Sequence, residues 1–434
     1  MAYPPLPDFR KLCSNITDYA GLMHEYGADG VGPLVEKAKK TLENLAKQIS
    51  RLPIDEKLAA VEPDDLPAIR KLRPAGPRRM WKGFDERVYR ERLEGALLAR
   101  MAGCTLGAPV EMQSLQRMEE LARENGQAFP PTDYWSYMPC PYSTRYGKSR
   151  MEEYTRGKMD GVPVDDDIAY TLLGLLVVEE FGPQFTVADN GKAWVKYLPM
   201  ACTAEDVALK NLKKGLPADK VGAIDNPYVQ WIGADIRSDP WGYMAPGDPQ
   251  FAAEMAYRDA YLSHRRNGIY GEMYFSAVIA AAFAVDDPIE AVELGLGEIP
   301  RNCELAKAVK WALKQAPKIK DYRQARAAVD KKFAGMSVVH TVNNACLTLW
   351  GLTIGGKDVT KVIGETVAMG LDNDCTAATA GSIVGAVVGK RGVPRHWYRR
   401  FNNTVHSYLI GREKFAIDDL VNRFTAQARR VTRR

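Results

Sequence analysis

Two short clusters of aspartate stand out among the residues that could carry chemistry. Asp165, Asp166 and Asp167 are followed by I-A-Y and then by the apolar run T-L-L-G-L-L-V-V. Asp372 and Asp374 precede a run of small residues in G-L-D-N-D-C-T-A-A-T-A-G-S. An aspartate at a helix start accepts hydrogen bonds from free N–H groups and meets the positive end of the helix dipole. Each cluster is therefore compatible with an independent helix cap.

Capping accounts for one or two carboxylates of such a cluster more easily than for all of them. Carboxylates partly removed from water repel each other and raise each other's pKa unless a cation neutralises them. If the two helix starts converge, five carboxylates meet, and this set of hard oxygen ligands suits Mg²⁺ or Mn²⁺ rather than zinc. Spacing alone leaves both a shared divalent-metal site and two separate capping motifs open.

The clusters and their flanks resemble the ADP-ribosylglycohydrolase family over about residues 85–400. The segment D-D-D-I-A-Y-T-L stands in the register of the family's T-D-D-T-x-M-A-L, so Asp166 and Asp167 match its two aspartates. Asp165 then stands in place of a threonine ligand. Ile168 stands in place of the second threonine.

The second cluster is similar to the family pattern G-G-D-T-D-T-N-A-A-x-A-G. Cys375 falls where a threonine hydroxyl usually binds metal, and a thiol is a poor magnesium ligand. The resemblance implies a site for two Mg²⁺ ions, with Mn²⁺ as a substitute. The metal ligands predicted in this way are Asp165, Asp166, Asp167, Asp372 and Asp374.

A third match, G-C-T-L-G-A-P-V-E-M at 103–112, is similar to the family's G-D-A-L-G-A-P-x-E. A helix C-cap followed by a proline accounts for Gly107 and Pro109 but not for Glu111. The resemblance places Glu111 near metal and substrate, so we predict that it is a general base or positions the attacking water. Asp166 and Asp374 complete the predicted catalytic set.

A looser match predicts contacts to the substrate. The segment I-G-A-D-I-R-S-D-P-W-G at 232–242 resembles a family loop, N-G-A-A-M-R-x-A-P-x-G, that binds the distal part of the ligand through backbone N–H groups. Here Ile232 replaces asparagine, and Asp235 adds a negative charge. The histidine of Y-L-S-H parallels a family ligand contact, and the glycine-punctuated segment after it could face the pocket. The predicted substrate-binding residues are Gly233, Ala234, Arg237, His264, Asn267 and Tyr270.

The resemblance implies hydrolysis of the glycosidic bond at the anomeric carbon of an ADP-ribosyl or ribosyl group by metal-assisted attack of water. Two alternatives stay open. Ile232 and Asp235 favour an N-ribosyl hydrolase that acts on a small nucleoside- or nucleotide-like metabolite. Ile168 and Cys375 favour a catalytically inactive protein that binds ADP-ribose.

Helices must position these residues, because most periodic segments repeat apolar residues at helical spacing and alternating β-branched strands are scarce. The sequence therefore predicts an all-α fold, and the resemblance implies a compact multi-helix orthogonal bundle of the ADP-ribosylglycohydrolase type. Gly381, Gly385 and Gly389 are four residues apart, so they share one helix face and permit close approach of a neighbouring backbone. The stretches 109–163 and 217–249 are predicted to be loops.

The Pro/Gly cluster R-P-A-G-P-R-R at 73–79 indicates a domain boundary. Residues 1–82 repeat apolar residues at helical spacing and are predicted to form an N-terminal helical extension. Residues 83–434 are then the catalytic domain.

Composition excludes several classes of protein. With 46% hydrophobic and 26% charged residues, the chain is typical of a soluble globular protein. The net charge of +5 is concentrated in 390–401 and the C-terminal tail, which argues against a nucleic-acid surface. Seven cysteines without a C-x-x-C pair favour a reducing compartment, and neither a secretory signal nor a bilayer-length apolar segment is visible. We expect a cytoplasmic protein with a ribosylated or ADP-ribosylated substrate and no nucleic-acid or membrane partner; no oligomeric state is predicted.

Overall fold

The computed structural model describes residues 3–4, 7–81 and 83–433. The chain divides into two compact units, Met1–Ala60 and Val61–Arg434. In the first unit, α1 (Phe9–Glu25) and α2 (Val31–Ser50) are amphipathic, and neither has a buried residue. The predicted helical character of this region is confirmed.

The second unit is built almost entirely from helices, and the helix α3 (Glu56–Val61) crosses the division between the units. The helices that follow are α4 (Leu66–Leu72), α5 (Glu86–Gly107), α6 (Leu115–Glu124), α7 (Asp166–Phe181), α8 (Val187–Tyr197), α9 (Thr203–Lys213), α10 (Ala218–Val221), α11 (Asp239–Met244), α12 (Pro249–Ala260), α13 (Asn267–Ala282), α14 (Pro288–Gly295), α15 (Glu304–Gln315), α16 (Tyr322–Lys332), α17 (Thr341–Gly355), α18 (Val359–Ala368), α19 (Asn373–Gly392) and α20 (Ile417–Thr432). The all-α prediction is confirmed.

Strands are few and short in the described part of the chain. One antiparallel hairpin pairs β1 (Thr144–Arg145) with β2 (Ser149–Arg150), and a second pairs β3 (Thr404–His406) with β4 (Lys414–Ala416). Short 3₁₀ turns link several helices, and the turn Ile232–Arg237 lies beside the functional site. Among the described residues, no helix combines the length and apolarity that a bilayer crossing requires.

The centre of the second unit is an antiparallel contact between α5 and α19, made possible by small residues. A Cβ atom on Gly385 would overlap the carbonyl oxygen of Gly95, and one on Gly381 would overlap that of Ala99. The predicted close approach at Gly381 and Gly385 is thus present. Gly389 differs from its neighbours, because its φ of 70° ends the regular helix.

This close contact determines where the acidic residues meet. Because α5 and α19 run antiparallel, the C-terminal end of α5 lies against the N-terminal end of α19, where Gly107 packs on the backbone of Asp374. Glu111 follows α5 after one 3₁₀ turn. The backbone therefore brings Glu111 to the start of α19.

The two predicted loop regions contain more regular structure than expected. The region 109–163 holds α6 and the hairpin of β1 and β2, and 217–249 holds α10, the turn Ile232–Arg237 and α11. These elements are short and rich in Gly, Pro and aromatic residues, so apolar periodicity does not reveal them.

The Pro/Gly segment 73–79 belongs to the second compact unit. Arg73 and Arg78 both pair with the buried carboxylate of Glu298, at 2.5 and 2.6 Å. These two ion pairs fix the segment against the α14 region, although its composition resembles that of a linker. The compact unit therefore begins before the predicted boundary at residue 82.

Candidate metal and active site

The first acidic cluster lies at the start of α7, a helix whose middle is apolar on all sides and buried. Asp165 adopts an extended conformation at the N-cap, and its Oδ1 accepts a 3.1 Å hydrogen bond from the backbone N–H of Asp167. Because α7 runs through the core, its N-terminus opens inside the protein. Asp165 and Asp167 are buried, and Asp166 is half-buried.

The second acidic cluster lies at the start of α19. Asp372 occupies the N-cap position, but its side chain makes no capping hydrogen bond. Its backbone N–H instead binds the side-chain oxygen of Asn344 at 3.2 Å. Capping therefore accounts for one oxygen of Asp165 and does not account for Asp372.

The two helix starts converge. Carboxylate oxygens of Asp165, Asp167 and Asp374 lie within 4.8 Å of one another, and so do those of Glu111, Asp372 and Asp374. Both groups share Asp374. Of the predicted metal ligands, Asp166 belongs to neither group.

Burial makes these carboxylates difficult to ionise without a nearby cation. Burial raises the pKa of Asp165 to about 7, against the lowering effect of Arg145. Burial, followed by repulsion from neighbouring carboxylates, raises the pKa of Asp167, Asp372 and Asp374 well above the ordinary range. A bound cation would offset this cost.

The residues fit a divalent metal. The Oδ1 atoms of Asp167 and Asp374 are buried and have no hydrogen-bond partner, which leaves two hard oxygen donors available. Cys375 belongs to neither carboxylate group, and burial raises the pKa of its thiol well above the usual value. Ile168 is buried in the core. Neither departure from the family pattern removes a carboxylate from the cluster.

Arg145, which the sequence analysis missed, extends from β1 into the acidic cluster. Its Nη2 donates to Asp165 Oδ2 at 2.9 Å and to Asp374 Oδ2 at 3.1 Å, and its Nη1 donates to Glu111 Oε2 at 2.9 Å. Burial by itself lowers the pKa of Arg145, but the carboxylates of Asp165 and Asp374 raise it well above the usual value. The guanidinium therefore remains charged inside the site.

A second arginine, Arg100, also lies near the acidic cluster. Arg100, fully buried on α5, pairs with Asp239 at 2.5 Å and lies 3.6 Å from Asp167 Oδ1. Its Nε donates to the hydroxyl of Thr171 at 2.9 Å. Arg100 links α5, α7 and α11, and most of its charge is balanced by Asp239.

Beside the cluster lies a cavity of about 360 Å³. Five predicted metal or catalytic residues and one predicted substrate contact line it, namely Glu111, Asp166, Asp167, Asp372, Asp374 and Gly233. Residues that the sequence analysis did not assign to a site also line it, among them Tyr146, Tyr170, Cys202, Thr203, Glu205 and Trp231. The glycine of R-Y-G-K at 145–148 was the available sequence signal for a turn at Arg145 and Tyr146. In the structure, Tyr146 and Gly147 both have positive φ.

Arg237, predicted to bind substrate, is buried among carboxylates instead. It pairs with Glu205 at 2.6 Å, Asp259 at 2.5 Å and Glu272 at 3.3 Å, and does not line the cavity. A Cβ atom on Gly233 would overlap the carboxylate of Glu205. The loop expected to bind the distal part of the substrate therefore carries a carboxylate beside its glycine.

The remaining predicted substrate contacts also make structural interactions. The Nδ1 atom of buried His264 is hydrogen-bonded to Ser263, Asn267 binds Glu62 and Gln230, and the hydroxyl of Tyr270 donates to the carbonyl of Pro63. Asn267 and Tyr270 lie where α13 meets residues 62–63, away from the cavity lining. Ala234 is fully buried. This placement does not support substrate binding by these four residues.

Asp235 also lies outside the cavity lining. It is buried, and one of its oxygens accepts a hydrogen bond of 2.5 Å from the hydroxyl of Thr341. The negative charge expected in this loop is therefore supplied to the cavity by Glu205 from α9, not by Asp235.

Comparisons with known proteins bear on the family and the fold of this chain. The model of the ADP-ribosylglycohydrolase family matches residues 85–431. A solved structure described as an ADP-ribosylglycohydrolase-related protein complex aligns with a TM-score of 0.53 and 17% sequence identity, over 80% of this chain and 99% of that chain. At this identity the likeness shows the fold alone. A search of curated proteins gave no significant match.

Proposed function

Because this chain belongs to the ADP-ribosylglycohydrolase family, we propose that it hydrolyses the glycosidic bond at the anomeric carbon of a ribosyl or ADP-ribosyl group with the help of divalent metal. The observation that carries the proposal is the pair of carboxylate groups that share Asp374 at the edge of the cavity. Membership of the family supports the class of reaction, and the acidic cluster supports the dependence on metal.

Asp165, Asp167, Asp372 and Asp374 are the carboxylates that would be available to hold metal. Bound Mg²⁺ or Mn²⁺ supplies chelation of ribose hydroxyls and a water of lowered pKa. Glu111 is half-buried and has one oxygen tied to Arg145. We assign its other oxygen, Oε1, to accept the proton of the attacking water.

Asp166 has a separate role. The hydroxyl of Tyr146 and the backbone N–H of Asp167 both donate to Asp166 Oδ1, at 2.6 and 3.2 Å. This fixes the carboxylate at the cavity wall. Cleavage at an anomeric carbon passes through an oxocarbenium-like state, and an oriented carboxylate stabilises that positive charge electrostatically.

The cavity lining favours a small N-riboside as a second candidate substrate. Asp166 and Glu205 line it outside the carboxylates that would hold metal, and no described lining residue is lysine or arginine. A diphosphate would carry about two negative charges into this field, where like charges repel. Tyr170 and Trp231 offer aromatic faces for a base-like leaving group. These features support a neutral or cationic aglycone.

Turnover of a panel of substrates tests the reaction. Purified protein with Mg²⁺ or Mn²⁺ is offered ADP-ribosylated arginine, ADP-ribosylated serine and simple N-ribosides, and release of the free sugar is followed by chromatography. We expect turnover that stops with chelator and returns with metal. Asp374→Asn is expected to lose activity by about 100-fold or more, since it removes the charge shared by both carboxylate groups.

Asp330→Asn is the matched control, because Asp330 is an exposed aspartate on α16 that pairs only with a neighbouring surface arginine. It is expected to retain full turnover. Metal-independent turnover, full activity in Asp374→Asn, or ligand-induced thermal stabilisation without turnover would contradict the proposal.

The preferred substrate is decided by comparing kcat/KM for one N-riboside and its ADP-ribosyl counterpart. The acidic lining predicts a preference of about tenfold or more for the riboside, and this preference should shrink in Glu205→Gln. Equal or reversed values would assign the protein to ADP-ribosyl substrates while leaving the hydrolase proposal intact.

A further inference from the structure

We propose that the guanidinium of Arg145 takes the place of one of the two cations in the acidic cluster, so that the wild-type chain binds a single divalent ion. The inference concerns the same carboxylates as the proposed function. It does not depend on which bond is cleaved, because a site with one ion or with two could support hydrolysis.

The oxygens of Asp374 carry the argument. Asp374 is the residue shared by the two carboxylate groups, so it would have to give one oxygen to each of two ions. Its Oδ2 already accepts a hydrogen bond from Arg145 Nη2 at 3.1 Å, whereas its Oδ1 has no partner. One oxygen of the shared carboxylate is therefore left for metal.

Arg145 also binds one carboxylate oxygen in each of the two groups that could otherwise serve as a metal ligand. Nη2 binds Asp165 Oδ2 at 2.9 Å, and Nη1 binds Glu111 Oε2 at 2.9 Å. A positive charge at this point neutralises carboxylates that would otherwise face a second ion. It also repels such an ion at close range.

The local structure holds Arg145 in this position. Nη1 also donates to the carbonyl of Ala108 at 2.7 Å, and the guanidinium lies 5.3 Å from the centre of the Tyr146 ring. The hairpin that carries it is fixed to the segment preceding α7, because Ser149 Oγ accepts a 3.0 Å hydrogen bond from the N–H of Val164. The side chain is only 15% exposed. Arg145 is thus built into the site.

Arg145 leaves oxygens free in the group formed by Glu111, Asp372 and Asp374. The Oδ1 atom of Asp374 is buried without a hydrogen-bond partner, and Asp372 lies in the same carboxylate group, whereas Asp167 Oδ1 lies 3.6 Å from the guanidinium of Arg100. Hard oxygen donors of this kind, completed by water, suit one Mg²⁺ or Mn²⁺. We assign the single ion to Asp372 and Asp374, which belong to one carboxylate group.

Metal stoichiometry tests the inference without any substrate. Full-length protein is stripped with chelator, titrated with Mn²⁺ by calorimetry, and analysed for bound manganese after dialysis. We expect about one ion per chain for the wild type and about two for Arg145→Met, which removes the guanidinium but keeps an unbranched side chain of similar length. Arg150→Met is the control on the same hairpin, because Arg150 is exposed and pairs only with Glu152; it should behave as the wild type.

A spectroscopic measurement on the wild type makes the test independent of how well the variant folds. A single bound Mn²⁺ gives the six-line electron paramagnetic resonance spectrum of an isolated ion, whereas two ions bridged by Asp374 give a broadened, spin-coupled spectrum. An isolated-ion spectrum supports the inference. A coupled spectrum or two equivalent ions in the wild type would overturn it, as would unchanged stoichiometry in a folded Arg145→Met.

Discussion

The hydroxyl of Tyr146 donates a 2.6 Å hydrogen bond to the carboxylate of Asp166, and both side chains line the same cavity. The backbone of Tyr146 has a φ of 53°, a conformation that a bulky residue rarely adopts. Such strain persists where the surrounding structure holds the residue in place, and here it directs the phenol toward Asp166.

Tyr146→Phe removes only this hydroxyl. A hydrogen bond to a charged group contributes about 1.5–3 kcal/mol, so loss of the oriented carboxylate is expected to lower kcat about tenfold or more. The ring contact with Tyr408 remains, and KM and the melting temperature should change little. Tyr142→Phe, at an exposed position in the same loop region, is the control. A lower melting temperature with unchanged kcat would mean that the hydroxyl has a structural role only.

Asp372→Asn should raise the stability of the metal-free protein and weaken its response to metal. The substitution removes a buried carboxylate that repels Asp374, while binding of metal to the folded state is what stabilises the wild type. We expect a higher melting temperature in chelator and a smaller rise on adding Mg²⁺, both measured by thermal unfolding.

Asp358→Asn provides the comparison for this experiment. Asp358 is an exposed aspartate that caps α18 by accepting from the N–H of Lys361, and asparagine caps helices equally well. Its melting temperature and metal response should match those of the wild type. If Asp372→Asn behaves in the same way, Asp372 does not contribute to a metal site.

The raised pKa of Glu205 leads us to expect that the unfolding free energy depends on pH. Burial raises its pKa to about 7, while Arg237 acts in the opposite direction and Asp166 and Asp259 add repulsion. Because the folded-state pKa lies above the unfolded one, the protonated group stabilises the fold below about pH 4.5, and this contribution is lost as the pH rises through about 7. The unfolding free energy of the wild type relative to Glu205→Gln should fall by up to about 3 kcal/mol between pH 5 and 8.

Asp189→Asn should show no such trend in that range. Hydrogen bonds from Lys192 and Thr186 lower the pKa of Asp189 to about 2, so it is ionised in both folded and unfolded chains above pH 5. Urea unfolding at several pH values measures both differences. If the difference in unfolding free energy between the wild type and Glu205→Gln does not change with pH, this carboxylate stays ionised beside Arg237 throughout the range.

Gly381→Ala should disrupt the contact that brings the acidic residues together. The added Cβ would meet the backbone of Ala99, which cannot move aside as a flexible side chain can. We expect a loss of about 2–3 kcal/mol or more in unfolding free energy. All eight tryptophans lie after residue 80, so their fluorescence reports on the larger unit.

Gly157→Ala is the matched glycine substitution, because no atom lies within 4 Å of its added Cβ. It should leave the unfolding free energy nearly unchanged.

For Gly381→Ala we expect a lower metal affinity in addition to the lower stability, since the ends of α5 and α19 carry the proposed ligands. Wild-type stability in Gly381→Ala would mean that the two helices can separate without cost.

Much of the candidate site could be predicted from the sequence because its carboxylates lie close together along the chain. Residue type and spacing single out the two acidic helix starts that hold Asp165, Asp167, Asp372 and Asp374, and the resemblance to the family implied that they bind metal. Glu111 follows a recognisable helix end. The all-α fold follows from apolar periodicity, which is likewise a local property.

Other features depend on contacts between distant segments, and sequence patterns do not contain them. Arg237 stands in a motif typical of ligand contact, yet Glu205, Asp259 and Glu272 converge on it from three helices and occupy its donors. Asn267 and Tyr270 likewise bind structural partners, and His264 binds Ser263 through Nδ1 while its Nε2 has no hydrogen-bond partner. A motif specifies a residue type, whereas burial and partners decide what that residue does.

The sequence by itself determined the helical class, the two acidic helix starts and the glycine face that lets α5 and α19 approach. Only the tertiary structure decided that the capping position of Asp372 is not used for capping, that Asp374 is shared, and that Arg145 reaches this residue from a hairpin 229 positions away. The physical reason is that charge balance in a buried site depends on distance in space. Neither the order of residues nor their spacing along the chain specifies that distance.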